Sequence, residues 1–210
     1  ATLQSYGAHA IALEPRGARM PAEIPDNRGG ARRATDHLVE LGHERIAFID
    51  GPEQVLTSRE RRHGYQDGLE AAGLAFDERL VASGGFTEEG GRAALVRLLD
   101  AGIPFTAIFA SNDAMAIGCM VELHARGLAI PRDMSLVGFD DIRTVRWFDP
   151  PLTTVRVPME EIGAAGVARL LALLDADGGE PPAGRLVNVH PTELVVRAST
   201  APPGAQKARA

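Results

Sequence analysis

Ala107-Ile108-Phe109-Ala110-Ser111-Asn112-Asp113-Ala114-Met115-Ala116-Ile117-Gly118 (107–118) changes its hydrophobic period at Ser111. The run from Phe105 to Ala110 is almost continuously apolar, the mark of a strand buried on both faces. Beyond it, Ala116, Cys119, Met120 and Leu123 recur at helical spacing through Asp113–Gly127. The same alternation recurs elsewhere. Arg45–Asp50 and Ser135–Phe139 read as strands, as do Ala10–Leu13 and, more weakly, Leu80–Ala82. Helical spacing places Ala31, Ala34, Leu38 and Leu41 on one face of Gly30–Gly42, and Ala94, Leu95, Leu98 and Leu99 on one face of Ala93–Gly102. Gly42 suits a helix C-cap, and His43 after it closes the helix end. Strands alternating with helices predict a parallel sheet covered on both sides, the doubly wound α/β class.

The rhythm changes after Pro150-Pro151. Leu152–Arg156 is short and extended, Met159–Leu174 is helical, Asp177–Pro182 is a loop, and Leu186–Arg197 is extended again. Residues 201–210 read as a disordered tail.

The 210 residues carry 22 Lys+Arg against 28 Asp+Glu, a net charge of −6, so the basic stripe that grips nucleic acid is absent. By itself this chain is expected to give no mobility shift with DNA. Apolar residues make up 45%, enough for a packed core, but no uninterrupted apolar run approaches a membrane span, and no membrane partner is expected. Ala1–Gly7 has neither a basic start nor an apolar block, so no export signal is expected. Its lone Cys119 cannot build a disulfide or a cysteine metal site, and the six histidines lack ligand spacing, so no metal and no cofactor is called for. Lys207 is the single lysine, which removes both a phosphate-binding loop and a core catalytic lysine. Nucleophile elbows, HExxH and GxGxxG strings are missing too, and the chain does not read as an enzyme.

In open parallel sheets ligands bind at the carboxyl ends of the strands. Those ends read Asp50-Gly51-Pro52, Ser111-Asn112-Asp113 and Gly138-Phe139-Asp140-Asp141, with Phe86 after Gly84-Gly85. In the helix beginning near Ser58, Arg61, Tyr65, Gly68 and Ala72 share the buried face. An inward arginine in a first helical turn opposes the helix dipole and needs a carboxylate or a ligand as partner. Arg61, Asn112 and Asp140 are therefore candidates to hydrogen-bond a small polar ligand, with Phe86 and Trp147 as an apolar wall. Hydroxyls that donate and accept, on a carbon skeleton that packs against rings, point to a polyol or sugar. Plainer readings stand beside these: Asn112 and Asp113 as helix caps, Asp140 and Asp141 as turn formers, Arg61 as a structural ion-pair partner.

Several longer strings resemble the lac repressor family of transcriptional regulators. They are Asp26-Asn27, His37 through Ile49 followed by Gly51-Pro52, Arg61-x-x-Gly64-Tyr65, and Ala107–Gly118. Gly127-Leu128-x-Ile130-Pro131, Gly138-Phe139-Asp140-Asp141, Pro150–Arg156 and Glu193–Ser199 extend the match. The resemblance implies a periplasmic-binding-protein-like α/β fold, with doubly wound parallel sheets in two subdomains. It implies effector contacts at Arg61, Asn112, Asp140 and Phe86, and more loosely at Thr57 and Glu14. The expected partners are a small-molecule effector (a sugar or related polyol before a nucleobase), a second copy in a homodimer, and operator DNA through an N-terminal helix-turn-helix head. That head is not in this sequence, and the expected location is cytoplasmic. On this reading residues 28–154 and 188–200 form the C-terminal subdomain. Residues 1–27 and 155–187 form an incomplete N-terminal one, whose exposed sheet edges favour oligomers, with ligand binding weakened or absent. A transporter's solute-binding protein shares the fold and is the first alternative; a carbohydrate-processing enzyme, to be told apart by turnover assays on a sugar panel, is the second.

Overall fold

The computed structural model describes residues 11–12, 21–175 and 186–204. The chain divides into two units, 1–26 with 158–192 and 27–157 with 193–210.

In the larger unit six strands pair in the order β3-β2-β4-β5-β6-β8. They are β2 (Ile46–Asp50), β3 (Val81–Ser83), β4 (Ala107–Ala110), β5 (Ser135–Asp140), β6 (Thr153–Arg156) and β8 (Glu193–Val195). All neighbours are parallel except β8, which runs antiparallel to β6. Four helices, α1 (Asn27–Glu40), α2 (Leu56–Ala71), α3 (Glu88–Asp100) and α4 (Asp113–Ala125), connect the strands. α1 packs on α2 and α3 on α4, one pair to each face. Strand alternation explains the division. Ala47, Ile49, Ile108 and Ala110 meet Leu95, Met115 and Leu123 of α3 and α4. Phe48 points the other way and stacks on Tyr65 of α2, ring centroids 4.8 Å apart, and that tyrosine donates its hydroxyl to Ile46 O.

The chain steps outward from β2 to β3 and then returns past β2 to β4, so the winding direction reverses between β2 and β4. In doubly wound sheets that reversal opens a crevice at the carboxyl edge.

Close approach of α1 and α2 depends on Gly64. A Cβ there would collide with Arg28 O and lie 2.8 Å from the Ala31 Cβ. Replacing Gly64 with alanine is expected to push the helices apart and cost about 1–3 kcal/mol, read as a lower urea midpoint. An unchanged midpoint would mean that α1 yields freely.

Gly42, at φ 94°, ends α1 in a Schellman turn, with His43 N donating to Leu38 O and Gly42 N to Val39 O. His43 does more than the expected helix closure. Its ring is buried, with Nδ1 2.7 Å from Thr106 Oγ1 and Nε2 3.0 Å from both Ser135 Oγ and Ala201 O. Ala201 is thus bonded to the sheet, and the expected disordered tail does not begin there; residues 205–210 lie outside the described region.

The smaller unit contains β1 (Ala22–Pro25), α5 (Met159–Asp175) and β7 (Val187–His190), with β1 and β7 parallel. Glu23, buried on β1, accepts from Asn188 Nδ2, His190 Nε2 and Arg169 Nη1 at 2.8–3.0 Å. Burial would raise its carboxyl, but these donors hold it below the ordinary value. Two expectations shift here. Of the expected strand 10–13 only residues 11–12 are described, and Ala12 makes a single bridge to Ala22. Residues 188–192 belong with β1 and not with the larger unit, because β7 pairs along Ala22–Pro25 before the chain crosses to β8, whereas residues 27 and 155–157 belong with the larger unit, Val155 and Arg156 pairing with β5.

Candidate functional site

The carboxyl ends of β2 and β4 feed the loops that start α2 and α4, and Arg61 lies on the sheet-facing side of α2. The helix begins at Leu56, two residues before the expected start, so Arg61 sits in its second turn, away from the amide dipoles at the end. Its side chain is 6% exposed. Nε donates to Asn27 Oδ1 at 2.9 Å, Nη1 to Ser111 O at 2.5 Å, and Nη2 to Asp140 Oδ1 at 3.2 Å. The guanidinium lies 3.7 Å over the Phe139 ring. One cation therefore ties the start of α1 to the carboxyl ends of β4 and β5.

Asp140 keeps 33% of its side chain exposed, so it can reach a ligand while holding Arg61. Burial raises its pKa, and the Arg61 charge partly opposes that rise. Its backbone is left-handed at φ 113°, and Asp141 follows at φ 55°. Strand alternation places Phe139 on the Arg61 side and would turn Asp140 away. The left-handed residue redirects the chain and lets both side chains meet the guanidinium. Asp141 points back into the protein, bonded to Arg197 Nη2 at 2.5 Å and Arg156 Nε at 2.8 Å.

Asn112 is the N-cap of α4, its Oδ1 accepting from Met115 N at 2.9 Å. The cap reading holds, and the other end of the same amide is used as well, with Nδ2 donating to Phe86 O at 3.3 Å. Phe86 is itself left-handed, at φ 65° directly after Gly85, and its half-buried ring lies against Gly51. A Cβ on Gly51 would collide with that ring and with Ser58 Oγ. Ser58 and Ser111 bring two buried hydroxyls to this edge.

Arg61, Asp140, Asn112 and Phe86 are thus joined, directly or through Ser111-Asn112. Thr57 lies half-buried in the first turn of α2. Trp147 ends a short 3-10 helix, Arg143–Trp147, is 79% exposed, and among the described residues has no hydrogen bond or ring contact with this group; it does not form the expected wall. Glu14 lies outside the described residues. Site reasoning from the sequence left out Asn27 and Phe139. Asn27 starts α1 far from the other motifs, and a phenylalanine ending a strand reads as core.

Two further carboxyls are buried at this edge. Burial raises Asp50 to about 6, opposed by the Gly51 N–H and the Arg62 charge. It raises Asp113 to about 7, opposed by hydrogen bonds from Thr154 and the Ile142 N–H. Four guanidiniums here are engaged: Arg61 by Asp140, Arg62 by Glu78 and Asp50, and Arg156 and Arg197 by Asp141. Carboxyl, amide and hydroxyl groups beside aromatic rings can bind an uncharged ligand through its hydroxyls. An anionic group would compete with those carboxylates for these four guanidiniums.

The family profile of the periplasmic binding protein-like domain matches residues 35–200. The HTH-type transcriptional regulator CelR of Thermobifida fusca is 40% identical over 174 residues, 83% of this chain and 50% of the relative. The chain spans about half the length of the curated relatives it matches. Among solved structures, the complex of transcriptional regulator CelR with cellobiose superposes with a TM-score of 0.87 at 36% identity, covering 94% of this chain and 60% of that one. A sugar-binding transcriptional regulator of the LacI family from Escherichia coli, complexed with phosphate, gives 0.81 at 32% identity over 96% of this chain and 80% of that one.

Proposed function

Because the chain belongs to the LacI family, on the periplasmic-binding-protein-like fold, we propose that it is the effector-sensing part of a transcriptional regulator and that its effector is a neutral sugar or related polyol. The observation that carries the reading is Arg61, buried at the winding reversal and sharing Asp140 with the exposed edge. Arg61, Asn112 and Asp140 bind effector hydroxyls directly or hold the groups that do, and Phe86 packs on its carbon face. Thr57 and Glu14 are lesser contacts. The cellobiose in the CelR complex supports a saccharide. The relatives are regulators, which favours this reading over a transporter's solute-binding protein, and the protein acts by binding rather than by turnover.

Operator DNA is bound through a helix-turn-helix head encoded elsewhere in the same reading frame, in the cytoplasm and as a homodimer. The exposed Trp147 is suited to a contact between protomers. No helix among the described residues is long and apolar enough to cross a membrane. Regulation then follows from population shift: an effector that binds one state of the protein tenfold better moves the equilibrium by about 1.4 kcal/mol.

A thermal-shift panel on the polypeptide from the complete reading frame tests this. Cellobiose, glucose and other neutral sugars are compared with glucose 6-phosphate and adenosine. A neutral sugar is expected to raise Tm, with its phosphorylated counterpart weaker because the guanidiniums at the edge are engaged. A rise only with the phosphate or the nucleoside would overturn the assignment.

A further inference from the structure

We propose that Asp113 is a positioning residue, whose carboxylate clamps the left-handed Asp140–Asp141 turn so that Asp140 faces both Arg61 and the effector. Asp113 itself is fully buried and cannot touch a ligand. Its Oδ1 accepts from Thr154 Oγ1 at 2.6 Å, and its Oδ2 accepts from Ile142 N at 2.8 Å. Ile142 is the residue that directly follows the two left-handed aspartates.

The turn is therefore held at both ends and in its middle. At its start Asp140 pairs in register with Arg156 on β6. In its middle the Asp141 carboxylate is gripped by Arg197 and Arg156. At its exit the Ile142 amide is tied to α4 through Asp113. A left-handed conformation at two successive non-glycine residues persists only where surrounding bonds determine it. An acid serving merely the dipole at the start of α4 would need neither of the two bonds to the turn and to β6. Gly138 makes the arrangement possible, because a Cβ there would collide with Asp113 Oδ1. Asn112 and Asp113 thus divide the work at one helix start: the first holds the Phe86 turn, the second the Asp140 turn.

This proposal rests on the effector reading only for its binding readout; the order of the turn is measured without ligand. Amide hydrogen exchange at Ile142 is compared in the parent protein, Asp113→Ala and Asp113→Asn, and affinity is measured for the neutral sugar giving the largest Tm rise. Asp113→Ala is expected to speed exchange at Ile142 about tenfold and to weaken sugar binding by a similar factor, the size of one lost hydrogen bond to a charged group. Asp113→Asn keeps an acceptor for the Ile142 N–H and can donate Nδ2–H to Thr154 Oγ1, so it should rescue both readouts.

Should Asp113→Ala fail to fold, Gly138→Ala displaces the same carboxylate and should speed Ile142 exchange in its place. Unchanged Ile142 exchange in the alanine variant overturns the clamp, as does equal impairment of the alanine and asparagine variants. Sugar binding that survives Asp140→Ala would instead sink the effector reading and leave the exchange result standing.

Discussion

Replacing Arg61 with alanine is expected to lower unfolding stability by about 3–5 kcal/mol and to abolish any sugar-induced rise in Tm. The size follows from the loss of the buried partner: the partly exposed Asp140 carboxylate is left without its cation, and Asn27 Oδ1 and Ser111 O lose their donor. Arg61→Lys keeps the charge but cannot reach three separated acceptors from one nitrogen, so it should recover only a fraction of the loss. Arg28 supplies the control. It makes a two-point pair with Asp67 at 2.6 and 2.8 Å, but its side chain is 55% exposed. Breaking an exposed pair typically costs about 0–1 kcal/mol. Urea unfolding of the two alanine variants should therefore differ severalfold, and equal small effects would remove Arg61 from its central place.

Asp113→Asn is expected to make the protein more stable above neutral pH, although a buried carboxylate with two good hydrogen bonds is lost. The folded protein raises this group from 3.8 to about 7, chiefly through burial, with the Asp140 and Asp141 carboxylates adding to the rise. Between those values the folded state binds more protons than the unfolded one, so stability falls as pH climbs through that window. Asparagine mimics the neutral acid. The variant should match the parent below pH 4 and exceed it by up to about 4 kcal/mol above pH 7, by linkage over that interval. Half-buried His37 and buried His43 have pKa values lowered by desolvation and titrate with the opposite sign, but they are common to both proteins and cancel in the comparison. A constant difference across pH would show that Asp113 is charged in both states.

The sheet was legible because β2, β4 and β5 are continuous apolar runs whose polar ends coincide with the carboxyl edge. Arg61 was legible because it breaks an otherwise small and apolar helix face. β1 was not: Ala22–Pro25 is short, ends in proline and buries Glu23, so neither apolar content nor alternation marks it. The left-handed residues were hidden for another reason. Glycine usually announces such a conformation, whereas Phe86 adopts it under tertiary bonds that no local string encodes; Asp140 and Asp141 read as turn formers, which marks a turn but not its left-handed backbone. Asn112 and Asp113 read as alternatives, cap or site, yet Asn112 caps α4 and pins Phe86 with the two ends of one amide. The crossing after Thr192, in place of one near residue 188, depended on a pairing with β1 that could not be foreseen once that strand was missed.

The most direct measurement is amide hydrogen exchange on the polypeptide from the complete reading frame, with and without a saturating amount of the neutral sugar that most raises Tm. Slowed exchange is predicted in residues 50–61, 84–87, 111–113 and 139–142, the segments that gather around Arg61. Slowing confined to the opposite edge of the sheet, at residues 42–45 and 103–106, or no slowing with any sugar, would contradict an effector held there.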